Sequence, residues 1–204
     1  MYRILGRLSS INVRKVVWTA AECDVEFELD ETWTGHSRLT SAHFQKLTPF
    51  GKIPVLEFDG GSLQESNCIC RFVAGVANRD DLLPQEAHAR AAVERWMDWQ
   101  ATDLNAAWRP VFMTLVRGVP SSIDLDREIK EWNAQMLILE RHLADGRAYV
   151  ATDCFTLADI VLALTAQRWL RIPIARPPAP NIAAWLSAQQ ARPAAKSWID
   201  PRVD

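Results

Sequence analysis

The sequence predicts a chain of two parts, in which a small α/β domain is followed by an all-helical domain. Two observations lead to this prediction. Short strand and helix patterns alternate up to about residue 79, whereas the hydrophobic period from residue 86 onward is helical almost throughout. In addition, seven of the nine tryptophans lie after residue 90, which indicates an aromatic-rich second core.

The bulk composition excludes several classes of function. With 204 residues and a net charge of −2, the chain carries no field that would attract nucleic acid or an anionic membrane. The sequence contains no apolar run long enough to span a bilayer. Its first residues lack the apolar stretch of a signal peptide. We therefore expect a cytoplasmic protein with no membrane or nucleic-acid partner.

The cysteines and histidines predict no metal site. The spacing of the cysteines fits neither a zinc site nor a redox CxxC pair, so we expect buried, reduced thiols. The four histidines are scattered along the chain. The cysteines are Cys23, Cys68, Cys70 and Cys154.

The first elements form a strand–helix–strand unit. Residues 3–6 are predicted to be a strand that ends in Gly6, and residues 13–21 place valines and alanines on one helical face. Residues 25–29 alternate between apolar and acidic side chains, which is typical of a half-buried strand. So short a βαβ unit predicts that its two strands are parallel.

The rest of the first domain adds a helix, a hairpin and a final helix. Asp59-Gly60-Gly61 is a hairpin turn signal, because these residues tolerate positive φ angles. The resulting order, βαβ-α-ββα, matches a thioredoxin-like topology. The predicted segments are a loop at 30–37, a weak helix at 38–47, an irregular stretch at 48–54, strands at 55–58 and 62–64, and a helix at 66–77.

Residues 80–84 read as a linker between a first domain at 1–79 and an all-helical bundle at 85–204. Thr156 and Asp159 have the spacing of a capping box with Asp in place of Glu or Gln, so we expect Asp159 to be structural and not catalytic. The helices are predicted at 86–117, 124–144, 157–170 and 181–190.

Four segments in this order resemble the soluble glutathione transferases, and the resemblance covers nearly the whole chain. Within this family, the chain resembles most strongly the bacterial serine-type enzymes near the theta and phi classes. The segments are Gly6-Arg7-Leu8-Ser9-Ser10-Ile11-Asn12-Val13-Arg14-Lys15-Val16, Pro49-Phe50-Gly51-Lys52-Ile53-Pro54-Val55-Leu56, Glu65-Ser66-Asn67-Cys68-Ile69-Cys70 and Phe155-Thr156-Leu157-Ala158-Asp159-Ile160. The resemblance implies a thioredoxin-like domain that binds glutathione, and a helical domain that contributes the pocket for an electrophile.

Ser9, Ser10 and Asn12 precede or open the first helix, where Ser and Asn are common N-caps. A hydroxyl at a helix N-terminus also suits a thiolate, because the helix end carries partial positive charge. Thiols in such surroundings fall from a pKa of about 8.5 to roughly 3.5–7.5. The resemblance implies that Ser10, four residues before Arg14, activates the thiol. Ser9 remains the alternative, and Asn12 is a candidate second donor.

The resemblance also assigns the groups that hold glutathione. It implies a cis Ile53-Pro54 bond, which would leave the backbone of Ile53 to pair with the cysteinyl backbone as an added strand does. Lys52 would bind a glutathione carboxylate, or would be an ordinary surface lysine. Glu65 and Ser66 would bind the γ-glutamyl ammonium and carboxylate, or would be a simple capping pair.

The pocket for the second substrate is predicted on the helix at 86–117, which we expect to face the cleft between the domains. Trp108, Arg109, Phe112 and Met113 would form an apolar surface with one cation, although each residue is equally consistent with helix core. Such a surface would suit a flat aromatic electrophile with an acidic group. The resemblance further implies a homodimer, formed through the helix that begins at Ser66 and the helix at 86–117, and a role in detoxification.

Three functions are compatible with this pattern to different degrees. The first is an enzyme that joins glutathione to an electrophilic carbon, or uses it in peroxide reduction or dehalogenation. The second is a non-catalytic binding or scaffold protein of the same fold, which would have no chemical need for the serine, Ile-Pro and Glu-Ser set. The third, thiol–disulfide exchange, is disfavoured because the loop before the first helix has no cysteine.

Overall fold

The computed structural model describes residues 1–33, 35–196 and 198–199, with residues 36 and 37 described by their backbone alone. Thr34, within the predicted loop 30–37, and Ser197 and residues 200–204, within the predicted helical domain, lie outside the described residues. The chain forms two compact units. Met1–Gln85 and the residues after Gln190 form the first unit, and Glu86–Gln190 form the second.

A mixed β-sheet with the strand order β2-β1-β3-β4 is the framework of the first unit. β1 and β2 are parallel, as predicted, while β3 runs antiparallel to β1 and β4. A two-residue turn at Asp59 and Gly60 joins β3 to β4, and Gly60 has a φ of 97°. The strands are β1 (Tyr2–Leu5), β2 (Phe27–Asp30), β3 (Val55–Phe58) and β4 (Gly61–Gln64).

Helices α1 (Ile11–Glu22) and α4 (Ser66–Val76) pack against each other, and they contact β1 and β4 respectively. α1 is buried from Val13 to Ala20, which explains its run of apolar residues. The predicted helix at 38–47 is instead two short helices, α2 (His36–Leu39) and α3 (Ala42–Leu47). The Ser41 hydroxyl accepts the Phe44 N–H at 3.2 Å and so begins a new helix.

Gly6 is the point where β1, α1 and the segment before β3 approach one another. It is buried and has a φ of 148°. A Cβ atom at Gly6 would lie 2.6 Å from Val13 Cγ2 and 3.2 Å from Ile53 Cβ. Both distances are shorter than ordinary carbon contacts, so this position excludes any side chain.

The first unit extends beyond the predicted domain 1–79. Leu82 and Leu83, in the predicted linker 80–84, are buried, and the unit continues to Gln85. The chain also returns to this unit after Gln190, whereas the sequence analysis placed residues 85–204 together. Arg192 Nη2 lies 2.7 Å from a Glu22 carboxylate oxygen, and the side chain of Glu22 is only 7% exposed. This ion pair joins Arg192 to α1.

The second unit is helical, as predicted. Its first helix is not uniform, because a π-helical stretch at Gln100–Leu104 separates α5 from α6. α6 contains Pro110 and ends at Leu115, two residues before the predicted end, where the left-handed Gly118 reverses the chain. The helices are α5 (Ala87–Trp99), α6 (Asn105–Leu115), α7 (Leu125–His142), α8 (Leu157–Arg171) and α9 (Pro180–Gln190).

α8 is the centre of the second unit, because it is buried from Leu157 to Trp169 and contacts α5 and α9. The predicted capping box at its start is present. Asp159 is fully buried and accepts hydrogen bonds from the Thr156 N–H at 2.9 Å, the Thr156 hydroxyl at 3.1 Å and the Val150 N–H at 2.8 Å. Asp159 therefore fixes both the helix start and the preceding loop, which confirms its structural role.

We expect Gly6→Ala to lower the free energy of unfolding by about 2 kcal/mol, because the new methyl group overlaps Val13 and the positive φ disfavours an L side chain. Urea unfolding measures the loss. Gly75→Ala is the matched control: Gly75 lies in α4 with open space around it, so alanine there should stabilise the protein by up to about 1 kcal/mol. Equal effects of the two substitutions would contradict the packing described at Gly6.

Asp159 should make stability depend on pH. Burial raises the pKa of Asp159 from 3.8 to about 6, so between these values the folded state holds a proton that the unfolded state has released. Its contribution is full below the unfolded pKa and is lost as pH rises through the folded pKa. Relative to Asp159→Asn, the wild type should therefore be about 1 kcal/mol more stable at pH 5 than at pH 7. A difference that does not change with pH would exclude this titration.

Candidate functional site

The sheet register brings the predicted glutathione-binding segments of the first unit to one end of the sheet. Leu5, the last residue of β1, pairs with Val55, the first residue of β3. Val55 in turn pairs with Gln64, the last residue of β4. Consequently the loop after β1, the Ile53-Pro54 segment before β3 and the Glu65-Ser66 pair after β4 all lie at this end.

The loop between β1 and α1 is held by backbone hydrogen bonds. Gly6 N–H donates to Asp30 O at 3.0 Å, and Ser10 N–H donates to Arg7 O at 3.0 Å, which closes a turn. Ser10 is the N-cap residue of α1, with a φ of −95° and a ψ of 119°. Its carbonyl accepts the N–H groups of Val13 and Arg14. The backbone thus places Ser10 at the end of the helix axis.

The three polar candidates in this loop differ in how their side chains are used. The side chain of Ser10 makes no capping hydrogen bond, and its hydroxyl has no partner among the described residues. Ser9, in contrast, is engaged with the surrounding protein. Asn12 lies in the first turn of α1 and is partly exposed. Among the described residues, the Ser10 hydroxyl is therefore unpaired, whereas Ser9 has a partner in the protein.

The Ile53-Pro54 peptide bond is cis, as the resemblance implied. The Ile53 side chain packs on a cluster of Leu5, Phe44 and Val55. Within the described ranges, neither the N–H nor the C=O of Ile53 has a hydrogen-bond partner. A partly exposed backbone with both groups unused can accept an extended peptide. The neighbouring Lys52 is exposed.

Glu65 has an unusual backbone for a non-glycine residue, with a φ of 67° and a ψ of 109°. A side chain in this region costs on the order of 1–2 kcal/mol. Glu65 occupies the N-cap position of α4, yet its carboxylate makes no capping bond and has no partner among the described residues. Ser66 follows as the first residue of α4 and is buried. The pair therefore does not behave as a simple helix cap.

The helix termini at this end of the sheet favour anions. The N-termini of α1 and α4 both lie here, and neither helix has an acidic residue in its first turn. Lys15 of α1 is buried and donates from Nζ to Asn67 Oδ1 at 3.3 Å. The buried ammonium of Lys15 therefore contacts Asn67, the residue that follows Ser66 in α4. Sequence reasoning missed Lys15 and Asn67, because each reads as an ordinary helix residue.

The residues predicted for the second substrate lie on α6 of the second unit. Trp108 and Phe112 are buried, with ring centroids 5.4 Å apart. The buried Arg168 guanidinium carbon lies 4.7 Å from the Trp108 ring and 4.1 Å from the Phe112 ring. Arg109 is exposed and Met113 is half-buried on the adjacent face of the helix. Sequence reasoning missed Arg168, although an arginine in so apolar a helix was a signal for a buried cation.

The cysteines differ from the prediction of buried thiols. Cys68 and Cys154 are exposed, because they lie on the outer side of α4 and in the loop before α8. Burial raises the pKa values of Cys23 and Cys70 to about 11, which keeps these two thiols protonated at neutral pH. Among the described residues, no group of histidines, cysteines and carboxylates is arranged to hold a metal ion.

The helices of the described chain include none with the length and apolarity needed to cross a lipid bilayer. The longest of them, α7, carries many charged side chains.

Two family models match the chain, one in each part. The model for the glutathione S-transferase N-terminal domain matches residues 9–75, and the model for the C-terminal domain matches residues 124–188. The first range contains the loop, Ile-Pro and Glu-Ser segments described above.

Individual proteins show the same likeness over the whole chain. Glutathione S-transferase GstB of Escherichia coli K12 is 30% identical over 204 residues, with 98% of each chain covered. The theta class glutathione S-transferase of Xanthomonas axonopodis pv. citri, solved with glutathione bound, has a TM-score of 0.90 and 28% identity, and the match covers 100% of this chain and 99% of that one. Elongation factor 1-gamma 3 of Oryza sativa is 31% identical over 152 residues, which are 74% of this chain and 36% of that protein.

Proposed function

The chain belongs to the glutathione S-transferase family, and we propose that it ionises the glutathione thiol for attack on a small electrophile. The main observation that supports this proposal is the placement of Ser10. Its hydroxyl lies at the N-terminus of α1 and is not used as a helix cap. Ser10 shares one end of the sheet with Ile53 and Glu65. The glutathione complex of the Xanthomonas structure supports the same ligand for this chain.

Thiolate formation is the central step of this proposal. The Ser10 hydroxyl donates a hydrogen bond to the sulfur, and the N-terminus of α1 adds partial positive charge. Both stabilise the anion over the neutral thiol, so the pKa of bound glutathione falls towards neutrality. Asn12 is a second donor, and Ser9 is the alternative to Ser10. The thiolate then attacks the electrophile as the nucleophile.

The remaining groups hold the tripeptide in position. The unused N–H and C=O of Ile53 pair with the cysteinyl backbone of glutathione, beside Pro54. Ser66 and the N-terminus of α4 bind the γ-glutamyl carboxylate, and the free carboxylate of Glu65 binds the ammonium. Lys52 binds a further carboxylate. Because both ends of glutathione are fixed, its thiol is already positioned for attack on a bound electrophile, which lowers the entropic cost of the reaction.

The electrophile is an apolar, aromatic molecule that contacts Trp108, Arg109, Phe112 and Met113. The contact of Arg168 with the rings of Trp108 and Phe112 holds these side chains as a rigid aromatic surface. Arg109 is exposed on the adjacent face of α6 and supplies a cation for an acidic substituent. Peroxide reduction and dehalogenation belong to the same proposal, because each begins with the same thiolate.

The wider setting is proposed from family membership. The protein acts in detoxification as a cytoplasmic homodimer, with the helix that begins at Ser66 and the segment 86–117 in the interface. Light scattering distinguishes this dimer from a protomer of 23.1 kDa.

A non-catalytic role is the second candidate function. The likeness to elongation factor 1-gamma favours it, because that match covers three quarters of this chain. Retention on immobilised glutathione, followed by an assay with a generic aromatic electrophile, separates the two functions. An enzyme is retained and turns over, whereas a scaffold shows no turnover. A third candidate function, thiol–disulfide exchange, is disfavoured because the segment from Gly6 to Asn12 contains no cysteine.

Substituting Ser10 should raise the pKa of the bound thiol. In the wild type, thiolate absorbance of bound glutathione should titrate near neutral pH, and in Ser10→Ala the midpoint should rise towards that of free glutathione. Because one donor to the developing anion is lost, kcat/KM should fall by roughly 10²-fold.

Ser9→Ala is the matched control and should change kcat/KM less than threefold. The opposite pattern, with loss in Ser9→Ala only, would transfer the role to Ser9. A thiolate that survives both substitutions would assign its stabilisation to the helix terminus.

Arg109→Ala should discriminate between electrophiles. Turnover of aromatic electrophiles with an acidic group should fall about two- to fivefold, since an exposed ion pair is lost, while neutral analogues should change little. Steady-state rates at saturating glutathione give the comparison. If both classes of electrophile keep their rates, Arg109 has no place in the pocket.

A further inference from the structure

The loop that carries Ser10 is held from the end of β2, and this feature was not apparent in the sequence. Leu8 N–H donates to Glu31 Oε1 at 2.8 Å. Leu8 is the second residue of the turn closed by the Ser10 N–H and the Arg7 carbonyl. A hydrogen bond to this amide therefore fixes the whole turn, and with it the approach to α1.

The loop is also joined to β2 by the bond from Gly6 N–H to Asp30 O at 3.0 Å. That bond joins two backbone groups and continues the pairing of β1 with β2. The Glu31 contact differs because a side chain makes it, at Leu8, which is two residues closer to Ser10 than Gly6 is. Substitution can therefore remove it without disturbing the sheet.

Glu31 is presented from a well-defined turn. Asp30 accepts hydrogen bonds from the Thr32 N–H at 2.9 Å and the Thr32 hydroxyl at 2.6 Å, which fold the chain back after β2. Asp30 also accepts from Trp33 Nε1 at 2.9 Å. Trp33 packs on the same cluster of Leu5, Phe44 and Val55 as Ile53 does. The turn is thus anchored on both sides of Glu31.

The charge of Asp30 supports this turn. Burial opposes its ionisation, but the hydrogen bonds from Thr32 and Trp33 and the nearby Arg3 guanidinium hold the pKa of Asp30 below its usual value. Arg3 Nη2 lies 2.6 Å from Asp30 Oδ2. The acceptor that organises the turn is therefore ionised at neutral pH.

We propose that Glu31 is a positioning residue for Ser10, acting through the Leu8 amide and without contact to glutathione. This role rests on the proposed function, because it matters for the reaction only if Ser10 activates the thiol. A carboxylate is a strong acceptor for an N–H group, and a glutamine carbonyl can accept in the same place. Alanine leaves the amide to water and loosens the turn.

The negative charge of Glu31 has the opposite effect to its hydrogen bond. An anion near the loop opposes formation of a thiolate, so removal of the charge alone would make thiol ionisation easier. The positioning role predicts that removal of the acceptor makes ionisation harder. The two effects have different signs, and Glu31→Ala and Glu31→Gln separate them.

The test compares Glu31→Ala, Glu31→Gln and a matched control, Glu26→Ala, which removes an exposed glutamate at the opposite end of β2. In ligand-free protein, NMR hydrogen exchange of the Leu8 amide should be about tenfold faster in Glu31→Ala and nearly unchanged in the other two. With glutathione, kcat/KM should fall about three- to tenfold in Glu31→Ala, with a higher pKa for the bound thiol. Glu31→Gln should stay within about twofold of the wild type. Affinity for S-methylglutathione, which has no thiol to ionise, should hardly change in any variant.

Different results overturn different claims. Unchanged Leu8 exchange and unchanged kcat/KM in Glu31→Ala would overturn the role of Glu31 while leaving the proposed function intact. Equal losses in Glu31→Ala and Glu31→Gln, or a lower thiol pKa in both, would show that charge and not the hydrogen bond matters. Weaker S-methylglutathione binding with a lower melting temperature would reduce Glu31 to a structural residue. If the wild type binds no glutathione, the proposed function falls and the positioning role of Glu31 in the reaction falls with it.

Discussion

The pairing of Leu5 with Val55 is the constraint on which the first unit depends. It aligns the end of β1 with the start of β3, and Val55 then aligns the end of β4. Gly6 can follow Leu5 only because it has no side chain, since Val13 and Ile53 occupy the space where a Cβ atom would lie. The sheet register and one glycine therefore bring the loop that carries Ser10 and the Ile53-Pro54 segment into contact.

A second constraint is that several polar groups at this end of the sheet have no partner among the described residues, while the surrounding ones are used by the protein. The amides of Gly6, Leu8 and Ser10 are bonded within the first unit. The Ser10 hydroxyl, the backbone of Ile53 and the Glu65 carboxylate have no partner among the described residues. The helix termini of α1 and α4 add a field suited to anions. Rigid support and unused donors together are what a preorganised site requires.

How much of the fold and of the candidate site could be predicted depends on how far apart in the chain the interacting residues lie. The strands, the parallel βαβ unit and the Asp159 capping box follow from local patterns, and the structure confirms them. The split of the helix at 38–47 depends on one serine cap, and the π-helical stretch at Gln100–Leu104 has no clear signal in the apolar period. The contact of Leu8 with Glu31 and that of Arg168 with Trp108 join residues far apart in the chain. Sequence patterns do not report such contacts. For the site, the motifs predicted segments that the sheet register brings to one end of the sheet, whereas the different surroundings of Ser9 and Ser10 became visible only in the hydrogen bonds.

The return of the chain to the first unit has a consequence for how such proteins can be recombined. Arg192 neutralises the largely buried carboxylate of Glu22, and the Trp198 ring lies 5.9 Å from that of Phe27. The helical unit is therefore an insertion within the first unit and not an appendage to its end. A gene fragment cut after residue 85 would lack Arg192, which forms the ion pair with the Glu22 carboxylate of α1. Exchange of halves between relatives at that single junction would separate Glu22 from its native counter-ion, whereas a cassette bounded at residues 86 and 190 would keep the pair together.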